Sequence, residues 1–240
     1  MNTEPYLSIR ELSCAYASRP WGIFGKKEIK PVLGGINLEI GKGEIFGLLG
    51  ESGCGKTTLG KCILGLKDYE GEITINGRKR ENNPSFAERQ RRAFEAAAVF
   101  QDPSSSLNPV KTVLWILEEP LRSHSLLNPA LRHEKAVSML SLVGLDSSYK
   151  NRKPHELSSG QKQRLAIGAA LMLNPGLLVA DEPVSALDVS VAAQILNLFR
   201  ELNKSLGLSL LFISHNLSLV NYLCDRTAVM RNGKLEELDP

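Results

Sequence analysis

The chain has 240 residues, 42 % of them hydrophobic and 23 % charged, a globular composition with length enough for one substantial core. Its net charge of +3 is too small to argue for nucleic acid or anionic lipid, and no apolar run reaches the length that spans a bilayer. The four cysteines, Cys14, Cys54, Cys62 and Cys224, form no C-x-x-C pair and indicate neither a zinc site nor a disulfide framework.

The first residues, MNTEPYLSIR, lack the apolar centre of a signal peptide, and Cys54 lies in a glycine-rich loop whose function oxidation would block, so a reducing cytoplasm is the expected compartment. Leu7 and Ile9 alternate with polar residues, as do Ile36, Leu38 and Ile40, and both stretches read as half-buried strands. Residues 17–31 hold two prolines, two glycines and mixed charge and read as a loop. The apolar run Ile45 to Leu49 then leads into Gly50, Glu51, Ser52, Gly53, Cys54, Gly55, Lys56, Thr57 and Thr58. This fits G-x-x-x-x-G-K-[ST], in which glycines let backbone N–H groups converge on a phosphate chain and a helix adds its positive end. Lys56 is placed to reach the β- and γ-phosphates, and the Thr57 hydroxyl to ligate Mg2+.

A strand over Glu72 to Asn76 ends at the hairpin-type pair Asn76-Gly77, giving a small antiparallel layer beside the nucleotide core. The basic cluster of Arg78, Lys79, Arg80, Arg89, Arg91 and Arg92 reads as a solvated face. Ala96 to Phe100, Leu177 to Ala180 and Leu208 to Ser214 read as buried parallel strands. Between them, a helix capped by Asn128 starts at Pro129 and runs to about Val143, and a second spans Gln161 to Leu173 and stops at Asn174-Pro175. Val191 to Leu206 repeats at helical spacing, with Ser190 as its cap and Gly207 as its stop. A hairpin around Asn232-Gly233 follows. The fold expected is an α/β P-loop NTPase in one domain, residues 1–240, with a mainly parallel sheet. Residues 1–101 form the antiparallel layer and the phosphate-loop part of the core, 102–175 an inserted helical subdomain, and 176–240 the rest of the core.

Further parts complete a phosphoryl-transfer site. Asp181 closes a buried strand, where a carboxylate can face Mg2+, and Glu182 beside it can polarise the attacking water. His215 ends another strand, where an imidazole can bond the γ-phosphate and the attacking water, although a strand-end histidine taken alone is more often structural. Gln101 follows the Ala96 strand and is a candidate for Mg2+ or water, or an ordinary loop amide. The stretch Leu157, Ser158, Ser159, Gly160, Gln161 supplies a second anion site at a helix start. Its distance along the chain suggests a site shared between two protomers.

In this order these residues resemble the ATP-binding subunit of ABC transporters, over nearly the whole chain. Gly50–Thr57 resembles the Walker A motif, Gln101 the Q-loop, Leu157–Gln161 the signature LSGGQ, Leu177–Glu182 Walker B, Ser185 to Asp188 the D-loop and His215 the switch histidine. The resemblance implies that Tyr16 stacks on adenine, with Trp21 and Phe24 as neighbouring aromatic candidates. It further implies a head-to-tail dimer, of two copies or of this chain and a paralogue, sandwiching two ATP. Each would lie between Lys56 of one subunit and Ser158, Ser159, Gly160 and Gln161 of the other. Implied partners are two transmembrane permease subunits and, through them, a solute-binding protein, at the cytoplasmic face of the membrane and without nucleic acid. GESGCGK, FQDPSSSLNP, EEPLR and PHELSSGQKQR are similar to oligopeptide, dipeptide and nickel importer ATPases, and the insertion after Tyr16 to the second of their paired ATPases.

Two departures bear on this. Ser159 stands where the family has glycine, and its side chain is expected to crowd the partner's γ-phosphate and slow that site. The chain stops at Pro240, where peptide-importer ATPases carry an extension, which leaves a metal-chelate importer as an equal expectation. The alternatives are a soluble, non-transport ABC ATPase and a weakened regulatory cassette. A two-cassette chain or long coiled-coil insertion would mark the first, and the presence of Lys56, Asp181, Glu182 and His215 argues against the second. A GTPase would show N-K-x-D, which is missing.

Overall fold

The computed structural model describes residues 4–18, 28–124 and 127–238. Strands β1 (Leu7–Ser18), β2 (Glu28–Ile40), β4 (Glu70–Ile75) and β5 (Arg78–Lys79) form an antiparallel sheet in the order β2-β1-β4-β5. Strands β3 (Ile45–Gly50), β6 (Ala96–Val99), β7 (Leu177–Asp181), β8 (Ser209–Ser214), β9 (Arg226–Arg231) and β10 (Lys234–Leu238) form the second, in the order β10-β9-β3-β8-β7-β6. All its neighbours are parallel except the terminal hairpin. Helices α1 (Lys56–Ile63), α2 (Phe86–Arg92), α7 (Val189–Leu206) and α8 (Leu217–Leu223) connect strands. Between β6 and β7 lie α3 (Pro103–Ser106), α4 (Val113–His124), α5 (Pro129–Leu142) and α6 (Ser159–Leu171), with two 3-10 turns. No helix of the described residues is long and apolar enough to cross a membrane.

The central strands β7 and β8 are buried on both faces, which explains their continuous apolar runs. Side chains alternate between two cores. Leu177 and Val179 of β7, with Leu211 and Ile213 of β8, pack with α1 and the antiparallel sheet, while Leu178, Ala180, Leu210 and Phe212 join the helices of 102–175 and α7. The chemistry-bearing residues therefore emerge at the C-terminal ends of β3, β7 and β8, on one sheet edge.

Three expectations needed correction. All of the residues in 17–31 that the structure describes are strand rather than loop: β1 runs to Ser18 and β2 starts at Glu28, with Ala15 opposite Pro31 and Tyr16 opposite Lys30. Pro31 is tolerated because β2 is an edge strand and needs no ladder N–H on its free side. The basic cluster is only partly solvated. Arg80 and Arg92 are buried, Arg80 Nη2 standing 3.0 Å from Glu95 and Arg92 donating to Glu88 at 3.1 Å and to the Glu81 carbonyl at 2.8 Å. Finally, α7 is capped by Asp188, whose carboxylate accepts from the Val191 N–H at 2.9 Å; Ser190 donates its hydroxyl to that carboxylate.

Candidate active site

The phosphate loop is built between β3 and α1. A Cβ on Gly50 would come within 2.6 Å of the Met230 carbonyl and 2.7 Å of Cys54 Sγ, so glycine is required there. Gly53 and Gly55 turn the loop with φ of 82° and 117°, conformations that side-chain-bearing residues resist. Lys56 is buried, and its ammonium donates to the carbonyls of Gly50 at 2.7 Å and Glu51 at 2.8 Å, which aims a positive charge across the loop mouth. Gly50 to Thr58 line a cavity of about 1040 Å3, wide enough for a nucleotide.

Three other segments complete its wall. Gln101 enters just after β6, Asp181 and Glu182 at the end of β7, and His215 at the end of β8. Glu182 has a left-handed φ of 51°, and its N–H is held by the Ile213 carbonyl at 3.0 Å. That places its carboxylate 2.8 Å from His215 Nδ1. Asp181 is buried against Thr57, with one carboxylate oxygen lacking a hydrogen-bond partner. Burial pushes its carboxyl above the usual aspartate range, against the opposing bond from Thr57 and the Lys56 charge. An orphaned carboxylate oxygen beside a threonine hydroxyl is a hard-oxygen donor set, so these residues fit Mg2+.

Tyr16 lies beside this cavity rather than in its wall. Its hydroxyl is 3.5 Å from Thr58 Oγ1, and the Lys67 ammonium is 4.3 Å from the ring centroid. Trp21 and Phe24 lie outside the described residues. The residues Ser158, Ser159, Gly160 and Gln161 do not line the cavity. Ser158 caps α6 in a capping box, accepting from the Gln161 N–H at 3.3 Å while its own N–H donates to Gln161 Oε1 at 2.9 Å. Gln161 also donates to the Tyr149 hydroxyl at 2.9 Å, and Ser159 is exposed at the first helical position. A Cβ on Gly160 would lie 2.5 Å from Val191 Cγ1, so this turn packs directly on the helix that Asp188 caps.

The sequence profile of the ABC transporter family matches residues 33–185. The chain belongs to that family. This ABC ATPase is 44 % identical to the oligopeptide transport ATP-binding protein AppF of Bacillus subtilis (strain 168), over 99 % of the chain and 72 % of AppF. It is 42 % identical to the dipeptide transport ATP-binding protein DppF of Escherichia coli (strain K12), over 98 % of the chain and 70 % of DppF. Among solved structures, the cassette MJ0796, in a dimeric post-hydrolysis state bound to ADP and Pi, superposes with a TM-score of 0.83. The identity is 29 %, over 98 % of this chain and 99 % of that one. The cassette cbiO1 of Clostridium perfringens, part of the complex cbiONQ, gives 0.84 at 27 % identity, over 98 % and 88 %. Sequence reasoning missed one part of the ABC ATPase's cavity: Val32, Val229, Arg231 and Asn232 also line it. Asn232-Gly233 announces a turn, but only the pairing of β9 with β3 brings that turn to the phosphate loop.

Proposed function

We propose that the chain is the ATP-hydrolysing subunit of an importer of peptides, working at the cytoplasmic face of the membrane on two permease subunits. The observation that carries this reading is the meeting of Lys56, Asp181, Glu182 and His215 in one cavity while Ser158–Gln161 lie outside it. Such a cavity binds a triphosphate but lacks its second wall, which a partner ATPase supplies. Within it Glu182 takes the proton of an attacking water, and His215 holds the Glu182 carboxylate in position. Lys56 and the loop N–H groups bind the phosphate chain. Mg2+, held by Thr57, Asp181 and Gln101, supplies charge neutralisation when bound. Tyr16 offers its exposed ring to the adenine, and Asp188 faces the partner at the dimer seam. Ser159, exposed at the α6 start, slows the site it completes on the partner.

Bound ATP favours the closed pair, and its cleavage removes that preference; the segment 102–175 passes the motion on. Peptides are favoured over nickel or metal chelates because the relatives reported above carry oligopeptides and dipeptides in their names. Replacement of Glu182 by Gln tests the core of the reading. The variant is expected to bind MgATP, to lose hydrolysis by at least about a hundredfold, and to shift from monomer to dimer with ATP on size-exclusion chromatography. Hydrolysis at the wild-type rate would remove Glu182 from its role.

A further inference from the structure

The last residue of β9, Arg231 at the entry to the turn into β10, is a cation that the mechanism above does not use. β9 runs parallel beside β3, with Leu49 opposite Val229 and Gly50 opposite Met230, so the residue after Met230 emerges where the phosphate loop begins. The turn is fastened there. The Gly233 N–H donates to the Cys54 carbonyl at 3.1 Å, and the Gly34 N–H donates to the Gly233 carbonyl at 3.0 Å. A Cβ on Gly233 would run into the Val32 carbonyl, so the backbone is packed as well as bonded. Arg231 therefore stands on a braced backbone, and it lines the same cavity as the loop. Among the described residues no hydrogen bond, ion pair or ring contact engages its guanidinium, whereas Arg226 at the other end of the strand is paired with Glu44.

The charges of the cavity give this arginine a task. Three carboxylates line it, Glu51, Asp181 and Glu182, and its described arginines and lysines are Lys56 and Arg231. The Lys56 ammonium is already shared with the carbonyls of Gly50 and Glu51. A nucleotide brings further negative charge into a site where its own carboxylates outnumber these cations, and an unpaired guanidinium offers up to five donors to phosphate oxygens. We infer that Arg231 is a nucleotide-binding residue of this chain, its guanidinium pairing with the phosphate chain of the bound nucleotide. The inference rests on the nucleotide reading of the cavity and adds to it a contact from outside the phosphate loop.

Isothermal titration of the full chain with MgADP and MgATP tests it, comparing wild type with Arg231→Ala, Arg231→Lys, Lys56→Ala and Lys234→Ala. Lys234 is an exposed cation of the same hairpin that does not line the cavity, so it controls for general electrostatics. Arg231→Ala is expected to weaken both nucleotides about tenfold, Arg231→Lys less, and Lys234→Ala not at all. Hydrolysis by Arg231→Ala should show a raised KM at an unchanged kcat, the mark of binding lost equally from ground and transition states. Because Arg231 is exposed and unpaired, melting temperatures should match wild type. Affinity within twofold of wild type in Arg231→Ala, with Lys56→Ala impaired, overturns the inference alone. A wild-type chain that takes up neither nucleotide overturns the nucleotide reading of the cavity, and the inference with it.

Discussion

Asp181 shows how a site is bought with stability. Its carboxylate is buried with one oxygen unsatisfied, and burial outweighs the help of Thr57 and Lys56. The sign follows from linkage. The folded, metal-free chain holds the Asp181 proton more tightly than the unfolded chain does, so stability falls as pH rises from the ordinary aspartate value through the raised one. Above that window the cost is fully present; below it both states are protonated and the cost vanishes. Asp181→Asn keeps the shape and removes the charge. In EDTA at neutral pH it should therefore melt a few degrees higher than wild type, at about 2–4 °C per kcal/mol for a domain of this size, while losing hydrolysis. Adding MgATP should reverse the ranking, because only the wild type keeps the carboxylate proposed to hold the metal. A variant that melts lower than wild type in EDTA would show that Asp181 is already well satisfied.

At the scale of elements, the contact between α6 and α7 carries a sharper test. Glycine in a helix normally costs up to about 1 kcal/mol relative to alanine. At Gly160 that rule should invert, because the added methyl would meet Val191 Cγ1 at 2.5 Å and a β-branched side chain yields little. Overpacking costs about 1–3 kcal/mol, so Gly160→Ala should lower the melting temperature of the wild type. In a Val191→Ala background the same change should raise it, and a double-mutant cycle in thermal melts reads the reversal directly. Equal effects in both backgrounds would disprove the contact. The elements themselves were legible wherever a local signal was decisive. Asn128 caps α5, accepting from the Leu131 N–H at 2.9 Å, and Gly207 ends α7 with a φ of 64°. Asn76-Gly77 and Asn232-Gly233 make their hairpin turns with both residues at positive φ. The failures came where partners are remote. Val189 is 88 % exposed, so the apolar period of α7 begins too late to show that Asp188 precedes it. The strand character of 28–31 rests on pairing with β1, and the burial of Arg80 on Glu95, fifteen residues away.

At the scale of the whole molecule the outline was legible: the mainly parallel sheet, the small antiparallel layer and the helices between β6 and β7 follow the expected α/β plan. The Lys56, Asp181, Glu182 and His215 segments each carry a residue type that the chemistry demands, whereas Arg231 reaches the cavity only through strand order, which local sequence does not encode. The remaining question at this scale is why Ser158–Gln161 lie outside the cavity of their own chain. If a second copy completes each site, two defects placed on different chains must complement. Lys56→Ala disables the phosphate loop. Ser159→Glu suits the first turn of α6, where a negative charge favours the helix, yet it sets a carboxylate against the triphosphate held by the partner. Each variant alone should hydrolyse almost nothing, although Ser159→Glu should still bind MgATP and melt no lower than wild type. An equal mixture should recover up to about a quarter of wild-type turnover, since random pairing makes about half of the dimers mixed and each mixed dimer holds one intact site. Recovery measured as phosphate release after mixing folded variants would place the two walls on different polypeptides. A mixture as silent as its components would leave the signature turn without a copy of this chain to act on.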